Sequence, residues 1–299
     1  MKDYLVRGMT MDGFVKVVAI RSTELVRRGA EIQGTTPNAT AAFGRCLTAA
    51  SMMGNMQKVE NGSMTLQVRG GGPIGTITVV SDPVGNVRGC MTEPKVPLVE
   101  KYPGKLDVGA TVGTDGTLTV IRDLQMKEPY IGSTELVSGE IGDDVTAYFA
   151  QSEQTPTACA LGVLIDTDHT CRAAGGILIQ LLPFADEQTV DLLERNAADL
   201  AHLSSMIDKG MDNKAIMDVA LRDIPYDIFD ELEVDYKCNC SKAKMDAVMA
   251  SLGRKQVMDL LAEQVAEGKP EELEIVCRFC NTRYRYSKEE LAGVDYAKE

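Results

Sequence analysis

Four cysteines near the end of the chain constrain its folding more than any other feature. They fall as Cys238-Asn-Cys240 and Cys277-Arg-Phe-Cys280, with a long spacer between the pairs. Two close-spaced pairs are the pattern of a tetrahedral four-cysteine site. Zinc is the expected metal, because it takes four ligands in structural sites and prefers thiolate sulfur. Four thiolates leave such a site with excess negative charge, which the flanking Lys237, Lys242, Lys244, Arg278, Arg283 and Arg285 are expected to offset. Positive neighbours also lower thiol pKa values, which favours metal binding and oxidation alike. The spacing fits a static structural site. It fits equally a site built to come apart, since oxidation of the thiolates to disulfides removes the ligands. A structural zinc site supplies on the order of 10 kcal/mol of folding free energy, so its loss is expected to unfold a small module.

The remaining cysteines differ in kind. Cys46, Cys90, Cys159 and Cys171 are scattered, and each is expected to be a buried structural thiol. The 299 residues suggest two domains. A hydrophobic share of 44% supports a true core and argues against disorder. The net charge of −13 argues against nucleic-acid binding, which needs clustered Lys and Arg. No apolar run approaches the roughly 18 residues of a membrane span, so no membrane partner is expected. The opening MKDYLVRGMTMDG lacks the pattern of a secretory signal. The cytoplasm, where thiols stay reduced, is the expected compartment.

Residues 1–184 are expected to form an α+β domain. Alternation around Met11-Asp12-Gly13 predicts a hairpin. Ser22 precedes a short helix, and Thr36-Pro37 opens a second with Thr36 as N-cap. That helix carries Met52, Met53 and Met56 as core residues. Strands broken by Gly70-Gly71-Gly72 and Asp82-Pro83 follow. The triplet lacks the Lys-Ser/Thr of a phosphate loop and predicts a tight turn. Asp143-Asp144 begins a helix, with acids at its positive end and on a solvated face. CALGVLID and CRAAGGILIQLLP predict two strands joined near Asp166–Thr170. Strands arranged as hairpins, with no βαβ alternation, give the α+β class.

Residues 185–236 read as an acidic helical linker packed on the first domain, with Val190, Leu192, Leu193, Leu200 and Leu203 at helical spacing. Residues 237–299 read as the small C-terminal metal module. It has two short helices separated at Gly253 and a hairpin around Cys277. Neither His169 nor His202 sits in a nucleophile setting, so no catalytic triad is expected. Glu140, Asp143 and Asp144 fit a helix start better than an acid–base pair. Tyr284 and Tyr286, interleaved with Arg283 and Arg285, fit strand residues beside the metal better than base-stacking groups.

With these motifs in place, the chain resembles the redox-regulated 33 kDa chaperonins, a family of bacterial heat-shock holdases. Gly72-Pro73-Ile74-Gly75, VRGCM at 87–91, VSGEIGDDVTAYFAQSEQTP at 137–156 and AGGILIQLLP at 174–183 carry the resemblance, with the two cysteine pairs at the end. The resemblance implies an ATP-independent chaperone that is not an enzyme and has no catalytic residues. Cys238, Cys240, Cys277 and Cys280 would hold one zinc in a reduced, inactive monomer. Under oxidative stress Cys277–Cys280 would pair first and Cys238–Cys240 second. Zinc would leave, and the module and the metastable linker would unfold. Apolar surface would bind unfolding client proteins, often with formation of a homodimer. Two other readings stay open on the residues alone. One is a static zinc-ribbon interaction module on an α+β scaffold. The other is a thiol oxidoreductase, which the strand-like RYRYS after Cys280 fits poorly.

Overall fold

The computed structural model describes residues 2–57 and 59–296. They divide into two compact units, separated between Lys237 and Cys238. In the first, β1 (Tyr4–Thr10) and β2 (Val15–Arg21) form the expected hairpin. Gly13 takes φ +79° in its turn, a conformation that glycine reaches without steric penalty. α1 (Thr23–Gln33) and α2 (Pro37–Asn55) follow. Pro37 sits at the helix start as expected, but the Thr36 hydroxyl does not cap it and donates to the Val96 carbonyl at 2.8 Å.

A meander of β3 (Ser63–Arg69), β4 (Thr76–Ser81) and β5 (Val87–Met91) comes next. The small hairpin of β6 (Glu100–Tyr102) and β7 (Lys105–Leu106) and the short α3 (Val108–Val112) lead to β8 (Thr117–Asp123) and β9 (Tyr130–Glu135). One antiparallel sheet runs β5-β4-β3-β8-β9. The glycine triplet is a packing turn: a Cβ on Gly70 would lie 2.3 Å from the Gly113 carbonyl oxygen.

α4 (Gly142–Gln151) and the long hairpin of β10 (Thr157–Ile165) and β11 (Cys171–Leu181) complete the expected core. Asp144 is not on a solvated face. It is fully buried and accepts the backbone N–H groups of Val137, Ser138 and Ile141 at 2.8–3.0 Å, clamping the loop before α4. Asp143 alone of the two faces solvent.

The linker begins as expected, with α5 (Glu187–Ala197), a 3-10 turn at Ala198–His202, α6 (Leu203–Asp208) and α7 (Asn213–Ala220). Its end does not. Tyr226–Glu233 forms a strand, β12, antiparallel to β1, which corrects the helical reading of 185–236. Two of the acidic residues of this segment are ion-paired, Asp230 with Arg7 and Glu233 with Lys2. Phe229 is the extra residue of a bulge opposite Arg7 and Gly8. The second large sheet therefore runs β10-β11-β2-β1-β12.

α2 lies at the centre of the unit, and all of its residues except Arg45 are buried. A helix enclosed on every side has no solvent face to make polar. Alanines and glycines let neighbours approach closely; a Cβ on Gly44 would sit 2.8 Å from Val26 Cγ1. Met52 and Met53 are buried in this core and Met56 packs on its margin. The β10-to-β12 sheet buries both faces. One side joins the α2 core through Leu5, Val18, Ile20 and Leu178. The other side, through Val6, Val15, Val17, Ile177 and Ile179, is covered by the linker helices.

The second unit contains α8 (Lys242–Leu252), α9 (Arg254–Ala266), β13 (Glu272–Val276), β14 (Arg283–Ser287) and α10 (Lys288–Ala292). α8 and α9 break at Gly253, which has φ +81°, and β13 pairs with β14 as expected. α10 is an addition to the expected elements, although Ser287 and Glu290 form a capping box, a signal readable in sequence. The buried core here is small: Met249, Val257, Leu261, Tyr286 and Leu291.

Candidate metal centre

The cysteine cluster is assembled from two loops. Cys238 and Cys240 lie in the coil before α8, and Ser241 caps that helix by accepting the Lys244 N–H. Cys277 and Cys280 occupy the tight turn between β13 and β14. The Cys277 N–H donates to the Thr282 carbonyl at 2.9 Å, and the Asn281 N–H donates to the Cys277 carbonyl at 2.8 Å. Asn281 closes the turn at φ +57°, a region that asparagine tolerates better than most residues.

The four sulfurs lie within 4.8 Å of one another. Cys238 and Cys277 approach at 3.7 Å, and Cys240 and Cys280 at 3.3 Å. All four are free thiols. A tetrahedral site with Zn–S bonds near 2.3 Å has edges of about 3.8 Å. The donor set and its spacing therefore fit a metal ion and are compatible with zinc. These four residues would hold it, and the metal would cross-link two loops that a small core leaves poorly fixed.

Hydroxyl groups contact the Cys240 and Cys280 sulfurs. Tyr284 donates to Cys240 Sγ at 3.0 Å, and Thr282 Oγ1 lies 3.1 Å from Cys280 Sγ. Burial pushes the Cys238 and Cys277 thiols up. Burial acts on Cys280 in the same direction, but hydrogen bonds from the Thr282 hydroxyl and N–H help to outweigh it and bring that thiol down to about 7.

Several of the flanking cations are engaged by acids. Arg283 and Arg285 pair with Glu274, and Lys242 pairs with Glu290 while lying 3.7 Å over the Tyr286 ring. Each of the three is satisfied by an acid of the same unit. Lys244 donates to the Asn239 carbonyl, between the first two cysteines, at 2.8 Å. Tyr284 and Tyr286 are strand residues, as expected, with Tyr286 in the module core.

The other cysteines divide. Cys46 and Cys171 are buried, whereas Cys90 and Cys159 are only half-buried. Alternation along β5 turns Cys90 away from the buried face that holds Val87, Gly89 and Met91. Burial pushes the Cys159 and Cys171 thiols up to about 12. His169 sits in the β10–β11 turn at φ +70°, and His202 is exposed on the linker. Among the described residues, no helix is long and apolar enough to cross a membrane.

Comparison with known proteins agrees along the whole chain. The sequence model described as Hsp33 protein matches residues 3–287. The 33 kDa chaperonin of Alkaliphilus oremlandii is 43% identical over 291 residues, covering 97% of this chain and 95% of that protein. That of Alkaliphilus metalliredigens is 41% identical over 294 residues, covering 98% and 99%. A crystal structure of the 33 kDa chaperonin, a heat shock protein 33 homolog, from Thermotoga maritima matches with a TM-score of 0.89 at 30% identity, covering 98% of both chains.

Proposed function

The chain belongs to the Hsp33 protein family, and on that premise we propose that it is a redox-switched, ATP-independent holdase of the cytoplasm. In the reduced state Cys238, Cys240, Cys277 and Cys280 hold one zinc and stabilise the small unit. Hydrogen peroxide is the oxidant. Two thiolates give up one electron each to form a disulfide, and the peroxide O–O bond takes both electrons and leaves as two hydroxides. Cys277–Cys280 forms first and Cys238–Cys240 second, which removes the metal's ligands. The unit then unfolds, because its buried core is too small to stand alone.

The observation that carries the reading is the position of the linker. Its Leu193, Leu200, Leu203, Ile207, Ile216 and Met217 form the layer over one apolar face of the β10-to-β12 sheet. Undocking exposes both surfaces at once. Leucine and methionine side chains offer an adaptable surface to many clients, and the net charge of −13 keeps a client complex soluble. Activated chains associate as homodimers. The test is the double substitution Cys277→Ser and Cys280→Ser. The reading expects no peroxide-dependent rise in suppression of client aggregation. A full peroxide response in that variant would place the switch elsewhere.

A further inference from the structure

The hydrogen bond from Tyr284 to Cys240 joins the two halves of the metal centre. Tyr284 lies on β14 just after the second cysteine pair, whereas Cys240 belongs to the first pair, 44 positions earlier. The first pair lies in coil, with no strand or helix of its own to fix it. β13 and β14 fix the Tyr284 ring. Its partner across the ladder is Ile275, and its aromatic body packs against the module core. The phenol thus projects from the more rigid half of the site onto the sulfur of the less rigid half.

We propose that Tyr284 is a positioning residue of the metal centre, whose hydroxyl holds the Cys240 sulfur in ligand geometry and draws charge from it. The proposal rests on the reading of the four cysteines as a metal site. A hydrogen bond to a ligand atom fixes its orientation and tunes its donor strength, and loss of such an outer contact typically lowers metal affinity 10–100-fold. Thr282 plays no equivalent part. Its hydroxyl contacts Cys280 within the same turn, two residues away, and ties nothing across the site. Tyr286 provides the internal contrast. It stands on the same side of the same strand, but its hydroxyl donates to Asp246 Oδ1 at 2.8 Å and meets no sulfur in that bond.

The test uses the full reduced chain with Co2+ as a spectroscopic probe and Zn2+ in competition with a chromogenic chelator. Tyr284→Phe keeps the ring and removes only the hydroxyl. The variant is expected to retain the visible bands of a tetrahedral thiolate site. Its sulfur-to-cobalt charge-transfer band is expected to move to longer wavelength, and its Zn2+ affinity to fall by about tenfold, the low end of the range for outer contacts. Tyr286→Phe is expected to leave that band in place even where it lowers thermal stability. An unchanged band and affinity in Tyr284→Phe would overturn the proposal, as would an equal shift in Tyr286→Phe. Failure of the unsubstituted chain to give a tetrahedral thiolate spectrum would overturn the metal-site reading itself and the proposal with it.

Discussion

The phenol of Tyr236 accepts a hydrogen bond from the Gly89 N–H at 3.1 Å and donates one to the Gly89 carbonyl at 2.8 Å. This clamp closes the first unit. It holds the chain beyond β12 against β5, where Val87 and Tyr236 also form a parallel bridge. It does so two residues before the first cysteine of the cluster. Removing the hydroxyl with Tyr236→Phe strips a buried backbone group of its partner, a loss of about 1–3 kcal/mol. The expected result is a lower unfolding midpoint for the first unit and holdase activation at lower peroxide, with metal affinity unchanged. Urea titration of the reduced chain checks the first, and unaltered stability would show that the clamp is idle.

Asp3 gives the first unit an unusual pH dependence. It is 4% exposed, and its Oδ2 accepts the Leu25 N–H at 2.7 Å. Burial pushes its carboxyl up to about 6; nearby Glu24 adds to the rise, and the Leu25 N–H and Arg21 oppose it. The unfolded value is near 3.9, so the folded chain binds this proton more tightly than the unfolded one. The Asp3 contribution to stability is therefore full below about pH 4 and is lost as pH rises through about 6. Asp3→Asn keeps an acceptor for Leu25 without the charge. It is expected to be more stable than the parent by about 1–3 kcal/mol near pH 8, with the gain fading towards pH 4. A gain independent of pH would contradict this assignment.

The layer over the β10-to-β12 sheet has a weak joint. At Ala198–His202 the helix tightens to a 3-10 turn. Ala197 and Leu200 line a half-open groove of about 200 Å3 with Ala158, Ala160, Ile177 and Ile179. Asn196 is fully buried and bonds the Ala220 and Arg222 carbonyls, while its own Oδ1 has no partner. Farther on, Asn213 Nδ2 ties α7 to the Tyr4 carbonyl at 2.8 Å. Ala197→Leu adds apolar contact in this groove and is expected to tighten docking by roughly 0.5–2 kcal/mol. Asn213→Leu breaks the tie and is expected to loosen it by about 1–3 kcal/mol. Hydrogen exchange across residues 187–220 should slow in the first variant and quicken in the second, with the activation threshold moving accordingly. Equal shifts in the two would contradict the account.

The legible parts of the chain are those whose cause is local. The Met11–Gly13 turn, the Pro37 helix start and the β10–β11 hairpin each carry their signal within a few residues. The clustering of the four cysteines is legible for the same reason: two short loops each present a pair of sulfurs. β12 is hidden because its stability comes from pairing with β1, more than two hundred positions away, and its acidic composition argues for solvent. Asp144 reads as a surface acid because the loop that folds over it supplies its donors only in three dimensions. Tyr284 is legible as a neighbour of the cysteine cluster, but its bond to Cys240 depends on how the β13–β14 hairpin is set against the first loop.

The central claim is that oxidation of the Cys238, Cys240, Cys277 and Cys280 cluster opens the chain as a holdase. The most direct measurement follows zinc release with a chromogenic chelator during peroxide treatment at mild heat. The same samples are assayed for light scattering by a thermally unfolding client. The account predicts one zinc per chain, released on oxidation in step with suppression of aggregation. Zinc retained under peroxide, or zinc released with no gain in suppression, would contradict it.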